Sequence, residues 1–327
     1  MCNILYQGHT GAVFCVAWSP DSQWLASGSR DTTVRVWNAS TGQQQSHFQD
    51  HDLQVTSLAW SPNGKLIASC SYDDEKIRIW EALTSRSIDK FAGPIDSDTS
   101  VRWSPDGQAI ALGGYTMGLV YHVAHHTETQ YTLGNSERPA ATAWSPDGQQ
   151  IAFADDRGSI YIYDTQSKFL VWHTKAHDGT ITNLAYSPDG TLLASAGYDA
   201  IIQVRKSKTG KVVTTYNGHH IQQNHTLLTS NSPRQTKTSS AIVVWSLSWS
   251  PDSRYLASAS GNILRSLKNS SPSYGNTVQI WETTTGQQIA TYADHTDEVR
   301  EVAWSPDSTR IASASSDHTV RVWSAPV

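Results

Sequence analysis

A four-residue phrase, an aromatic residue followed by Ser-Pro-Asp or Ser-Pro-Asn, recurs seven times in 327 residues. Its copies begin at Trp18, Trp60, Trp103, Trp144, Tyr186, Trp249 and Trp304. The prolines lie 42, 43, 41, 42, 63 and 55 residues apart, so a period near 42 runs through the chain, with about 21 extra residues before the sixth copy and about 13 after it. Such a period means one small unit stacked repeatedly, each copy burying the apolar face its neighbour cannot bury alone. It overrides the length prior of about two domains and makes residues 1–327 a single repeated domain.

Within one period the chain reads as four short strands. Val13–Trp18 is a continuous apolar run, the mark of a strand buried on both faces. Ser19-Pro20-Asp21-Ser22 supplies turn chemistry, because proline presets φ and the aspartate side chain bonds the backbone just after it. Trp24–Ser29 is a second strand ending in small residues, Val34-Arg35-Val36-Trp37 alternates as a third, and residues 43–48 follow the Thr41-Gly42 turn as a fourth. Four antiparallel strands in about 40 residues build one blade, and seven such units predict an all-β, seven-bladed β-propeller. The last period stops after its third strand, Val320–Ser324, and residues 2–7 are the only unassigned strand. The N-terminal strand is therefore expected to complete the last blade and close the ring.

The pair Gly8-His9, the turn residue Asp31 and the strand-ending Trp37 resemble the pattern of the WD-repeat family over essentially the whole chain, and the near-identity of the periods resembles bacterial WD-repeat proteins. The resemblance implies a buried hydrogen-bonded tetrad of His, Ser or Thr, Asp and Trp in each blade. Carried over by position, the tetrads are His9, Ser27, Asp31 and Trp37; His51, Ser69, Asp74 (or its neighbour Asp73) and Trp80; and His295, Ser313, Asp317 and Trp323. Each of these histidines, and His177, stands nine residues before its phrase aromatic. Blade five keeps His177, Ser195 and Asp199 but has Arg205 in the Trp slot, and blade six keeps Ser258 and Trp281. Blades three and four place Pro94 and Asn135 in the His slot and His122 and Tyr163 in the Trp slot, which leaves them without the brace.

His9, Ser27 and Asp31 have the residue types of a hydrolase triad. A nucleophile needs one exposed position beside an oxyanion site, whereas this set repeats at fixed spacing around the ring, so it reads as bracing of buried polar groups. Of the other histidines, His122, His125 and His126 sit in and beside a hairpin turn, and His219, His220 and His225 open the first insertion. The first group has no carboxylate or cysteine at metal-ligand spacing, and the second, which could meet around an ion, stands in a segment rich in Ser, Thr, Asn and Gln that reads as a mobile loop. Asp155 and Asp156 are neighbours on a strand, so they point to opposite faces and cannot share acid–base work. No catalytic, metal or cofactor motif is recognised, and the chain does not read as an enzyme. Cys2, Cys15 and Cys70 are odd in number with no framework spacing, which fits a reducing compartment. A net charge of −5 and a pI near 6.2 argue against a globally basic nucleic-acid binder. The first residues do not read as a secretory signal and no apolar run is long enough to span a bilayer, so a cytoplasmic protein without membrane contact is expected.

Two insertions interrupt the period, at about 219–240 between blades five and six and at about 261–275 within blade six. If the first strand of every blade runs from face one to face two, both fall on face one. They carry Arg234, Lys237, Arg265 and Lys268 and no acid, which suggests a basic flap for an acidic or phosphorylated partner segment. In WD-repeat proteins, ligands contact the residue before the turn aspartate and residues at the start of the first strand. By position these are Arg30, Tyr72, Tyr115 and Tyr198, then Phe14, Arg138, Trp245 and Arg300. The expected function is a protein–protein interaction scaffold or recognition module that binds a protein or peptide on that face. The alternative is a small-ligand or glycan binder, or an enzyme, with its site at the central channel.

Overall fold

The computed structural model describes residues 2–72, 76–93, 99–114, 117–134, 139–219, 242–262 and 275–326. Over these residues the chain forms 28 strands and no helix. They group into seven four-stranded antiparallel sheets, the blades of a seven-bladed β-propeller. The inner strands of neighbouring blades meet one another around a central channel. The seventh blade is Val299–Trp304, Arg310–Ser315 and Val320–Ser324, with Cys2–Tyr6 as its outer strand, Tyr6 lying opposite Val320. The two ends of the chain thus share one sheet, as the missing fourth strand required.

The phrase is repeated because each of its atoms is used. Ser19 Oγ donates to Asp21 Oδ1 at 2.5 Å and accepts the Trp24 N–H at 2.9 Å, while Asp21 Oδ1 also takes the Gln23 N–H at 3.0 Å. The serine-to-Asp (or Asn) bond recurs in all seven blades, from Ser61–Asn63 to Ser305–Asp307. The next residue takes a positive φ, as Gly64 at 70° and, less comfortably, Ser22 at 60°, Ser253 at 62° and Ser308 at 65°.

The core lies between blades rather than within them. One cluster joins Val13, Val16 and Trp18 of blade one to Ala312, Val320 and Val322 of blade seven, and equivalent clusters fill the other junctions. Two aromatic positions lock most of the junctions. The phrase tryptophan donates its indole N–H to a backbone carbonyl of the preceding blade: Trp18 to Ala303, Trp60 to Ala17, Trp103 to Ala59, Trp144 to Arg102 and Trp249 to Ala185, at 2.9 to 3.2 Å. This is the recurrent slot that a tryptophan-rich chain needs, apolar around the ring with one acceptor for the N–H. Trp304 departs from it and donates to Ser308 O at 3.3 Å.

The second lock is a stack. Tyr6, Phe48, Tyr216 and Tyr292, on outer strands, lie on Trp37, Trp80, Trp281 and Trp323 of the following blade with centroids 4.6 to 4.9 Å apart. In blade three the ring in this position is Tyr121, stacked by Phe91. This corrects the expectation of His122: Tyr121 pairs with Ile110 as Trp37 pairs with Leu25, so the slot is one residue earlier.

Candidate functional site

The tetrad positions form the expected braces in the blades that carry them. His9 Nδ1 bonds Asp31 at 2.9 Å and its Nε2 lies 2.8 Å from Ser27 Oγ. His177 meets Asp199 and Ser195, and His295 meets Asp317 and Ser313, at 2.7 to 3.0 Å. His51 lies 2.7 Å from Ser69, which also accepts the Trp80 indole at 3.2 Å; Asp73 and Asp74 lie outside the described residues. The indole N–H groups of Trp37, Trp281 and Trp323 find no acceptor among the described residues, so there the ring contributes packing alone. Burial by itself raises the Asp31, Asp199 and Asp317 carboxyls. Hydrogen bonds from the facing histidine, helped by backbone N–H groups and, at Asp31 and Asp317, by a threonine hydroxyl, outweigh it and hold all three below the usual range. Ser27 has no exposed surface, so no substrate reaches its hydroxyl.

A fifth brace was missed in the sequence. His219, expected to open a loop, is buried with Nε2 2.8 Å from Ser258 Oγ, and it braces blade six. The insertion therefore begins after the brace histidine. In other blades histidine and serine are 18 residues apart; here they are 39 apart, which hid the pairing. The signal was present in the pair Gly218-His219, which repeats Gly8-His9.

The chemistry-bearing part of the ring is the channel. Six inner strands carry a β-bulge at one shared position, four residues before the phrase aromatic: Phe14, Thr56, Ala140, Thr182, Trp245 and Arg300. A bulge inserts one unpaired residue and re-aims its side chain. These six, with Thr99 at the same offset in blade three, line a cavity of about 330 Å³ at the face-one mouth. At this shared position blades one, six and seven carry large groups and blades two to five small ones. The Arg300 guanidinium lies 4.2 Å from the Trp245 ring centroid and 5.7 Å from that of Phe14, and it pairs with Glu298. Tyr198 meets Trp245 edge-on at 5.6 Å. Cation–π and edge contacts of this kind fix the wall at about 0.5–2 kcal/mol each.

One residue further along, the inner strands are stitched in a second ring. Ser57, Ser100 and Ser246 hydroxyls accept the backbone N–H of Val101, Thr142 and Val302 in the next blade. Blade seven puts Glu301 in this slot, where its Oε2 accepts the Val16 N–H at 2.8 Å. A glutamate has reach that serine lacks, and its Oε1 stands 3.8 Å from Nη2 of Arg102 on blade three. Burial in the channel wall pushes the Glu301 carboxyl up to about 7, with Arg102 and the Val16 N–H pulling against it. Arg102 and Glu301 also line a funnel of about 480 Å³ on face two, so the pair forms the waist between two cavities.

The description "WD domain, G-beta repeat" matches residues 1–38, 42–81, 231–282 and 286–324, more than half of the chain. The chain belongs to the WD-repeat family. Residues 142–232 match "Anaphase-promoting complex subunit 4 WD40 domain". The WD-repeat chain is 25% identical to a denticleless protein homologue of Danio rerio over 97% of its own length and 45% of the relative's. It is 41% identical to the human F-box-like/WD repeat-containing protein TBL1X over 20% of the chain and 14% of that protein. It is 36% identical to a guanine nucleotide-binding protein subunit beta of rice over 22% of the chain and 19% of that protein. The chain thus spans less than half the length of each of these relatives. All three organisms are eukaryotes, so the expected bacterial character has no support among them.

Of the contact residues expected in this WD-repeat chain, Phe14, Tyr198, Trp245 and Arg300 come together around the mouth cavity. Arg30 and Tyr72 are exposed and occupy the same turn as Tyr198. All three donate a backbone N–H to the segment leading into the inner strand, to Ala12, Gln54 and Thr180 respectively. Tyr115 and Arg138 lie outside the described residues, as do 220–241 and 263–274 of the two insertions. In blade four the bulge position is Ala140. The sequence also missed the waist. Arg102 and Glu301 are about 200 residues apart, and each fills an ordinary strand position in its own repeat.

Proposed function

We propose that this WD-repeat chain is a protein-interaction scaffold that engages a partner segment at the face-one mouth of its channel. One observation carries the reading: Phe14, Tyr198, Trp245 and Arg300 converge on one cavity although they belong to four different blades. Tyrosine, tryptophan and arginine dominate binding hot spots because they bring large area with little lost rotamer freedom. A relative named as a subunit of a guanine nucleotide-binding protein supports the scaffold class, since a subunit by name belongs to an assembly. Chain order is the ground for expecting both insertions on this face, where their four basic residues would suit an acidic or phosphorylated partner segment. We place the protein in the cytoplasm.

The test is capture from native lysate by wild type and by a Tyr198→Ala/Trp245→Ala variant of equal melting temperature. A protein recovered by wild type and lost by the variant supports the reading. Equal recovery by both refutes this face as the site. The second reading, a small-ligand or glycan binder, rests on the volume of the same cavity. A defined small molecule that co-purifies with wild type and is absent from the variant would favour it.

A further inference from the structure

The channel waist carries a charge arrangement that partner docking at the mouth does not explain. In blades two, three and six, a serine hydroxyl holds the neighbouring blade's N–H. Blade seven performs the same task with a carboxylate, which must be desolvated to sit there. The carboxylate faces Arg102, whose side chain keeps 27% of its surface, and Glu301 keeps 18%. Their closest atoms stand 3.8 Å apart, longer than a direct hydrogen bond. Arg102 Nη1 donates to Val101 O at 2.9 Å and lies 3.5 Å from Ser57 Oγ, which leaves Nη2 the side turned to the channel and Glu301.

We propose that the waist is a carboxylate site: an anion entering through the mouth cavity takes the Arg102 guanidinium from Glu301, and Glu301 takes up one proton from solvent as it is released.

The argument is charge balance in a confined space. Arg102 and ionised Glu301 together are neutral. A carboxylate added without compensation leaves a net negative charge between low-dielectric walls, where repulsion between two carboxylates is strongest. Protonation of Glu301 restores neutrality, and its Oε2 can still accept the Val16 N–H. The proton is readily taken because burial already holds the Glu301 carboxyl at about 7. Other groups around Glu301 do not take over this role. From blade one it is faced by the Cys15 thiol, whose proton burial holds more firmly. From blades two and six come Ser57, Ser246 and Leu247, all uncharged. On its own strand Arg300 is engaged by Glu298 and Trp245. Arg102 is thus the cation of the waist, which selects an anion over a metal ion. The way in is polar on one side, with Thr56, Thr99 and Thr182 on the cavity wall.

This inference rests on face one being the binding face, and it is tested without a protein partner. The full chain is titrated calorimetrically with sodium acetate at pH 7.5 in two buffers of different ionisation enthalpy. The expected result is uptake of more than half a proton per acetate and a Kd that rises about tenfold from pH 6 to pH 8, since only the protonated form of a group titrating near 7 accepts the anion. Glu301→Gln is expected to bind acetate with no proton uptake and no pH dependence, and Arg102→Met to lose binding at least tenfold. A blocked aspartyl peptide that binds more tightly than acetate assigns the carboxylate to a partner segment, and the reverse order assigns it to a free small acid. No acetate binding by folded wild type, binding without proton uptake, or undiminished binding by Arg102→Met overturns the proposal. Equal partner capture by wild type and Tyr198→Ala/Trp245→Ala, with acetate binding intact, refutes the scaffold reading at this face and leaves the waist standing.

Discussion

Replacing Glu301 by glutamine isolates one buried charge and turns it into a pH-dependent stability. An ordinary glutamate titrates at 4.5 and Glu301 at about 7. At roughly 1.4 kcal/mol per tenfold in proton affinity, the difference converts to about 3 kcal/mol. The folded chain holds this proton more tightly than the unfolded chain does. The stabilisation is therefore complete below pH 4.5, is lost as the pH rises through about 7, and stays lost above it. Glutamine keeps an oxygen for the Val16 N–H and cannot ionise. It also removes the partner of Arg102, but that attraction acts only while Glu301 is ionised and is already contained in the value of about 7. The free-energy difference between Glu301→Gln and wild type should therefore climb by about 2–3 kcal/mol in favour of the variant from pH 5 to pH 8. Urea unfolding followed by tryptophan fluorescence at four pH values across this range measures it. A difference that stays flat, or that shifts toward wild type as the pH rises, refutes the assignment of a raised carboxyl to the waist.

Three further outcomes follow from the ring. His219→Ala should destabilise by about 2 kcal/mol, as much as His9→Ala, because it leaves Ser258 Oγ without the histidine in a buried site; a neutral effect in urea unfolding would return His219 to a loop. Tyr6→Ala removes the ring stacked on Trp37 at the closing blade and should cost about 3 kcal/mol, and deletion of residues 1–8 should lower the melting temperature further; an unchanged melting temperature in the deletion would show that the ring does not need its N-terminal strand. Ser308→Gly relieves a positive φ and should stabilise by up to about 1 kcal/mol, whereas Ser22→Gly should gain less because Ser22 Oγ also holds the Asp307 N–H. Equal gains at both positions would mean that the inter-blade bond contributes nothing.

What could be read without a structure was whatever repeats. The phrase, its period and the missing fourth strand determined seven blades and their closure, because turn chemistry and strand alternation act within a few residues of chain. The braces of blades one, two, five and seven were legible for the same reason: His9, Ser27 and Asp31 recur at constant spacing. Tertiary structure decided what breaks the repeat or joins distant copies of it. His219 became visible as a brace only when the fold brought it to Ser258 across an insertion, since hydrogen bonding depends on distance in space and not on offset in sequence. The bulge at Trp245, Arg300 and Phe14 carries no compositional mark, because any residue can stand unpaired where two strands fall out of register. Glu301 looked like one more strand residue, opposite Ala314. Only ring closure placed it against Arg102, and only burial there changed its affinity for a proton.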